Sequence, residues 1–287
     1  MSTIDPFGSL ALGGALVGPG SQPTDEDGGV LEYMEMPSAM MTFATPNLPE
    51  PEDAAGLEEG LARLDSLLQL LVAAADGAPG GVVELAGLDA ANLELINQVL
   101  GEGEVSVIAG TDWQAQEAVL AGVWRVRRTT AAGAIDTIEV GAFPSGIRAT
   151  VFQGARSSVA MPEQLGPNIF NAPPLVPEIN EHIAKSEGAS EPHVINLSLL
   201  PHTEEDLTFL NEQLGRGDVT ILSRGYGNCR ITSTQTRNTW WVQYYNSQDT
   251  LILNSIEIGE IPDVACAALE DLGDSAERLG EILEVYR

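Results

Sequence analysis

The sequence predicts an α+β fold: two tandem duplicated β-α-β-β-β-α units with mostly antiparallel sheets, preceded by an acidic arm and an amphipathic helix. Two observations carry this reading. The chain repeats itself collinearly, and within each repeat the apolar spacing switches between the helical and the strand period. The repeat is plainest where Leu93-Glu-Leu-Ile-Asn-Gln-Val-Leu-Gly-Glu-Gly-Glu-Val-Ser-Val meets Leu207-Thr-Phe-Leu-Asn-Glu-Gln-Leu-Gly-Arg-Gly-Asp-Val-Thr-Ile, so that Leu93 answers to Leu207 at an offset of 114. Val82-Val-Glu-Leu answers to Val194-Ile-Asn-Leu, Trp124 to Trp240, Ile138-Glu-Val-Gly to Ile256-Glu-Ile-Gly, and Pro144 to Pro262. The offset grows in steps of two, which preserves order across small loop insertions. The period is too long for a solenoid repeat of roughly 20–50 residues.

The elements follow in order. Residues 1–60 hold eleven Asp or Glu and no Lys or Arg, with Gly- and Pro-rich stretches. One-sign charge with low hydrophobicity offers too little burial to offset ordering entropy, so residues 1–28 read as disordered. Glu32 to Asn47 carries Tyr33, Met34, Met36, Met40, Met41 and Phe43, the anchors of an arm lying on the body or on a partner. A helix then carries Leu57, Leu61, Leu64, Leu67, Leu68, Leu71 and Val72 on one stripe and ends near Gly77.

Each copy opens on a short apolar strand, Val82–Leu85 or Val194–Leu197. An N-cap follows, Asp89 or Thr203, and a helix bearing Leu93, Ile96 and Leu100, or Leu207, Leu210 and Leu214. Gly101 and Gly215 are its predicted left-handed C-caps. Strands around Val105–Ala109, Trp124 and Ile135–Val140 have counterparts around Val219–Ser223, Trp240 and Thr250–Ile258. A helix from Pro262 with Val264, Ala268, Leu272, Ala276, Leu279 and Leu283 closes the second copy, and its counterpart is decayed over residues 146–167. The predicted division is residues 1–80 for arm and helix, 81–166 for the first copy, 167–190 for a Pro-rich linker, and 191–287 for the second copy.

Charge narrows the function. The 287 residues hold 42 Asp+Glu against 13 Lys+Arg, a net charge of −29. That field repels nucleic-acid phosphate and anionic lipid surfaces. Two cysteines cannot build a disulfide framework or a four-cysteine zinc site. No basic segment followed by an apolar core marks a signal peptide, and the apolar run Leu67–Ala75 is too short to span a bilayer, which predicts a cytoplasmic protein.

The copies differ where a working surface belongs. Copy two has Leu222-Ser-Arg-Gly-Tyr-Gly-Asn-Cys-Arg where copy one has Ala109-Gly-Thr-Asp-Trp-Gln-Ala, and Asn246-Ser-Gln-Asp where copy one has Thr and Ala. Arg224, Gly225, Tyr226, Gly227, Asn228, Cys229, Arg230, Asn246, Gln248 and Asp249 are therefore the candidate partner-binding residues. The competing reading is a hairpin whose arginines pair with the protein's own acids. An ion pair between Arg224 or Arg230 and Asp249 is expected if the two loops leave one end of the sheet. Gly225-Tyr-Gly is no phosphate loop, since a strand and not a helix follows it. Nearby cations can lower the pKa of Cys229 toward a reactive thiolate. The competing reading is a small buried side chain, and Cys266 reads as core. Trp240-Trp241 and Tyr244-Tyr245 alternate faces of one strand. His182, His193 and His202 are not at motif spacing, and no carboxylate pair suits acid–base work, so no catalytic residue, metal ligand or cofactor is predicted.

The stretches Thr220-Ile-Leu-Ser-Arg-Gly-Tyr-Gly-Asn-Cys-Arg, Trp241-Val-Gln-Tyr-Tyr-Asn-Ser-Gln-Asp-Thr-Leu-Ile-Leu and Ala268-Leu-Glu-Asp-Leu-Gly-Asp-Ser-Ala-Glu-Arg-Leu resemble the C-terminal region of hydrogenase expression/formation proteins of the HupH/HyaF type. Glu35-Met-Pro and Leu48-Pro-Glu-Pro-Glu are similar to that family too. The resemblance implies a non-catalytic accessory factor, or chaperone, for maturation of an uptake nickel–iron hydrogenase. It implies as partners the iron–sulfur small-subunit precursor, before twin-arginine export, and other maturation factors. The cation-free arm offers a route to attract a twin-arginine leader. The rival reading is a metal- or cluster-handling protein using Cys229 and the nearby arginines.

Overall fold

The structure, a computed structural model, describes residues 55–186, 191–225 and 227–287. The readings of a disordered segment over 1–28 and of an arm over Glu32 to Asn47 lie outside these residues, as does Tyr226.

Two halves build one antiparallel sheet of ten strands. The first half contributes α1 (Glu58–Ala75), β1 (Val82–Glu84), α2 (Ala90–Leu100), β2 (Val105–Ala109), β3 (Trp113–Glu117), β4 (Val123–Thr130), β5 (Gly133–Val140) and the short α3 (Ser145–Thr150). The second contributes α4 (Leu175–Lys185), β6 (His193–Asn196), α5 (Glu204–Leu214), β7 (Arg216–Ser223), β8 (Asn228–Thr234), β9 (Thr239–Tyr245), β10 (Leu251–Ile258) and α6 (Asp271–Glu284). The strand order is β1-β5-β4-β3-β2-β7-β8-β9-β10-β6, so each half places its first strand beside its last and runs the others as a meander.

Three points correct the predicted unit. Each half has four strands after its helix, because Trp113–Glu117 and Asn228–Thr234 are paired strands. Each half also begins with a helix. In the second half that helix is α4, lying within the stretch read as a linker, where Leu175, Val176, Ile179 and Ile183 are buried. Proline is tolerated at the start of a helix because the first amides have no intrahelical acceptor, so Pro174 and Pro177 do not prevent it. Finally, Pro262 opens only a 3-10 turn, Asp263–Ala265, and α6 starts at Asp271. The intervening residues cross back to the first half, with the Ala267 amide donating to the Ala142 carbonyl.

Capping follows the local sequence. The Asp89 carboxylate accepts from the Asn92 amide at 2.8 Å, and the Thr203 hydroxyl accepts from the Asp206 amide at 3.0 Å. Gly101 and Gly215 end α2 and α5 at φ 56° and 68°, a region that disfavours residues with a Cβ. Asp206 is fully buried. Burial opposes its ionisation, but its carboxylate accepts from the amides of Ala172, Thr203, Phe170 and Asn171 and is held below the usual range.

Three cores result. α1, α2 and α6 cover Val83, Ile138 and Val140 on one face of the sheet. α4 and α5 cover Ile195, Ile256 and Ile258 on the same face. The opposite face of the central strands carries Val107, Trp124, Ile221, Ile231, Trp240 and Val242, closed by Ile147, Phe152 and Ala265. Each half thus sends its last segment onto the other. Phe152 meets Trp240 edge-on at 5.0 Å, and the Ser275 hydroxyl donates to the Ala121 carbonyl at 3.0 Å. The Arg156 guanidinium donates to the Gln213 and Leu214 carbonyls at the C-terminus of α5, where the helix dipole favours a cation.

Candidate functional site at the hairpin tips of the second half

The β7–β8 turn and the β9–β10 turn leave the sheet side by side, because Asn228 pairs with Tyr245. The first turn is tight. Gly227 has φ 104°, a conformation costly for other residues. A Cβ on Gly225 would meet the Glu104 carboxylate, which would have to swing aside to admit a side chain there. The Arg224 amide donates to the Glu104 carbonyl at 3.1 Å, which ties the tip to the first half.

The second turn is organised by Asn246. Its side-chain oxygen accepts from the amides of Gln248 and Thr250, both at 2.9 Å, and its amide donates to the Thr250 carbonyl. Gln248 and Asp249 are exposed, and Asp249 has φ 56°. Asn246 is thus a turn-former as well as a surface group. The expected pairing of Asp249 with Arg224 or Arg230 is not formed among the described residues. Asp249 sits at the far side of its turn, next to β10, whereas Arg224 stands on the β7 side of the other.

Cys229 and Arg230 are not loop residues. Both belong to β8, where side chains alternate between the faces. Cys229 points into the central core and is 3% exposed. Burial pushes its thiol up to about 12, a hydrogen bond from Tyr244 works the other way, and the charge of Glu257 adds to the rise. Of the two readings of Cys229, the structure has the small buried side chain; no arginine figures among the causes of its shift, so a thiolate favoured by nearby cations gains no support. Burial likewise pushes Tyr244 up to about 12. Cys266 is half-buried, and its thiol is pushed up to about 11, first by burial and then by Asp263.

Sequence reasoning missed Glu104 and Glu117. Glu104 enters through the pairing of Val105 with Ser223, a contact between halves that no local motif announces. Glu117 is buried at the end of β3 with its carboxylate facing the Gly122 amide at 3.5 Å. Burial pushes its pKa up to about 7, and the charges of Glu104 and Asp271 add to this.

What remains at the surface is a patch of hydrogen-bonding and charged groups: Arg224, Asn228, Arg230, Gln248 and Asp249. Among the described residues no group of three His, Cys, Asp or Glu side chains is placed to hold a metal ion. No described helix is long and apolar enough to cross a membrane.

Comparison with known proteins bears on the chain as a whole. The model of the HupH hydrogenase expression protein C-terminal conserved region matches twice, over residues 58–164 and 169–286, once in each half. The hydrogenase expression/formation protein HoxQ of Cupriavidus necator is 46% identical over 271 residues, covering 94% of this chain and 95% of that one. HupH of Rhodobacter capsulatus is 47% identical over 272 residues, covering 94% and 96%. The hydrogenase-1 operon protein HyaF of Escherichia coli is 33% identical over 281 residues, covering 94% and 95%. A solved structure of the hydrogenase expression protein HupH from Thiobacillus denitrificans is 30% identical and covers 39% of this chain and 92% of that one, with a TM-score of 0.36. With matches to both halves and relatives aligned over nearly its whole length, the chain belongs to the HupH family of hydrogenase expression/formation proteins.

Proposed function

We propose that this protein is a non-catalytic accessory factor in maturation of an uptake nickel–iron hydrogenase, and that it engages the iron–sulfur small-subunit precursor in the cytoplasm before export. The carrying observation is family membership across nearly the whole chain. The geometry is compatible with it. The hairpin-tip patch offers donors and acceptors on a rigid sheet, the form of a binding surface. The rival reading, metal or cluster handling through Cys229, gains nothing from a buried thiol pushed up to about 12.

The patch is proposed to be the surface that meets the precursor. Arg224→Ala and Asp249→Ala remove exposed or half-exposed groups, so each should shift stability by about 1 kcal/mol or less. Loss of an interface arginine can cost about 2 kcal/mol or more of binding. Affinity capture of tagged small-subunit precursor should therefore weaken at least about tenfold while the unfolding midpoint is nearly unchanged. Stable variants that still capture precursor and mature hydrogenase fully would place the surface elsewhere. Failure of the unaltered chain to capture the precursor would overturn the choice of partner.

A further inference from the structure

A locked turn carries apolar side chains into solvent close to the β9–β10 hairpin tip. After β6, the last strand in the sheet order, the chain makes a 3-10 turn over Leu197–Leu199. The Asn196 side-chain oxygen accepts from the Ser198 amide at 3.0 Å, and the Ser198 hydroxyl accepts from the Asn254 amide of β10 at 2.8 Å. Leu197 is buried and anchors the turn in a core, but Leu199 is 80% exposed, more than any other large apolar side chain among the described residues. Two further segments bring apolar groups to the same turn. In β10, Leu251 pairs with Tyr245 and Leu253 with Tyr244, so the register shifts at Ile252, which is 60% exposed and lies two residues before Asn254. In the loop before α4, the Phe170 amide donates to the Asp206 carboxylate at 2.8 Å, and the Asn171 side chain donates to the Pro201 carbonyl at 2.6 Å. These bonds seat Phe170, 65% exposed, against the segment that carries exposed Leu200. Single exposed apolar residues need no explanation, but Phe170, Leu199, Leu200 and Ile252 hang on one hydrogen-bonded framework. The surroundings are acidic. Residues 163–171, 197–208 and 246–254 hold Glu163, Glu204, Glu205, Asp206 and Asp249 and no Lys or Arg, and of these acids only Asp206 is buried.

We propose that Phe170, Leu199, Leu200 and Ile252 form an anchor site for a partner segment in which apolar side chains stand next to Arg or Lys. Charge selects that occupant. The apolar groups reward burial of leucine-like side chains, and the exposed carboxylates of Glu204, Glu205 and Asp249 reward cations beside them. A second copy, with its net charge of −29, is repelled by the same carboxylates. So is the chain's own N-terminal stretch, since residues 1–60 hold eleven acids and no cation. The backbone needs no ordering on binding, because the bonds to Asn254, Asp206 and Pro201 already fix all three segments. The site also supplies what the polar hairpin-tip patch lacks. Asp249 stands three residues before Ile252, so polar contacts at the tip and an apolar anchor beside them form one continuous surface. The inference rests on the proposed function only for the partner's identity, the precursor being the protein expected to present such a segment.

The test uses the full chain and a short fluorescein-labelled peptide in which two arginines precede alternating leucine and serine, with binding followed by anisotropy. Leu199→Ser and Ile252→Ser alter exposed side chains. Together they are expected to weaken binding at least about tenfold while the unfolding midpoint stays nearly unchanged. Glu204→Gln with Asp249→Asn is expected to weaken binding several-fold and to flatten its salt dependence. A peptide with glutamates in place of the arginines is expected to bind several-fold more weakly than the parent peptide. No binding by the unaltered chain, or binding indifferent to the Leu199→Ser and Ile252→Ser pair, would overturn the proposal. A dimer of the unaltered chain that this pair abolishes would assign the surface to a second copy and overturn it as well. Capture of the small-subunit precursor separates the site from the choice of partner. Peptide binding that the pair abolishes, with no capture of precursor by the unaltered chain, supports the anchor site and overturns only the partner. Precursor captured equally well by the unaltered chain and by the pair overturns the anchor site and leaves the partner standing.

Discussion

Val107 on β2 pairs with Ile221 on β7, and these residues occupy equivalent places in the two halves, 114 positions apart. Pairing on either side is reciprocal: Val105 meets Ser223 and Ala109 meets Val219. A local two-fold axis therefore runs through the middle of the sheet, and the halves share strand pairing as well as side-chain contact. The C-terminal helix α6 adds a second tie by packing on α1 in the first half.

The halves are thus expected to unfold together. Leu279 on α6 is fully buried among first-half residues. Leu279→Ala should cost about 3 kcal/mol and lower the midpoint of a single calorimetric transition by roughly 6–12 °C. A thermogram that splits into two transitions, with one half unaffected, would show that the halves fold independently.

The paired tryptophans differ in one hydrogen bond. The Trp124 indole N–H donates to the Gly141 carbonyl at 3.0 Å. Among the described residues the buried Trp240 indole N–H has no acceptor. Replacing either with Phe removes similar volume, but only Trp124→Phe removes a bond and strands a carbonyl. Trp124→Phe should be the more destabilising by about 1 kcal/mol in urea titrations. Equal costs, or the reverse order, would contradict this asymmetry.

Much of the fold was legible where a pattern is local. The Asp89 and Thr203 caps, Gly101 and Gly215, and the apolar rows of β2 and β5 all follow from neighbouring residues. What was missed depends on distant partners. β3 reads Trp-Gln-Ala-Gln-Glu, too polar to declare a strand until β2 and β4 flank it. A strand was expected after Gly227, but not one separate from the Trp240 strand; β8 lies between β7 and β9, with Cys229, Ile231 and Ser233 alternating inward. The break before α6 was invisible because Ala267, Ala268 and Leu269 are good helix formers that the crossing between halves keeps out of a helix. At the candidate site, the turns were readable from Gly227 and Asn246, but the burial of Cys229 and the approach of Glu104 were not.

Cys229 tests the surface directly. With its thiol pushed up to about 12 and its side chain in the core, it should resist iodoacetamide at pH 8 in the native protein. Half-buried Cys266, pushed up to about 11, should also react slowly. Mass spectrometry after alkylation should find both modified rapidly only once urea has unfolded the chain. Native labelling of Cys229 at the rate of a free thiol would mean that β8 opens and would revive a chemical role for it.

Glu117 gives stability a pH dependence of unusual sign. Burial is the main cause that lifts its pKa from 4.5 to about 7, the Gly122 amide opposes the rise, and Glu104 and Asp271 reinforce it. A carboxyl whose folded pKa is raised binds its proton more tightly in the native state than in the unfolded one. Its contribution is therefore present below about 4.5 and is lost as pH rises toward 7. A rise of that size corresponds to at most about 3 kcal/mol across the window. Glu117→Gln keeps an oxygen for the Gly122 amide and cannot ionise. It should flatten the slope of stability between pH 5 and 7 and leave the variant more stable than the parent at pH 8, by about 1–3 kcal/mol. Chemical denaturation at several pH values measures this, with Glu104→Gln as the companion: removing that charge should lower the Glu117 pKa and move the slope to lower pH. A variant whose pH profile runs parallel to the parent's would mean that Glu117 is solvated and titrates normally.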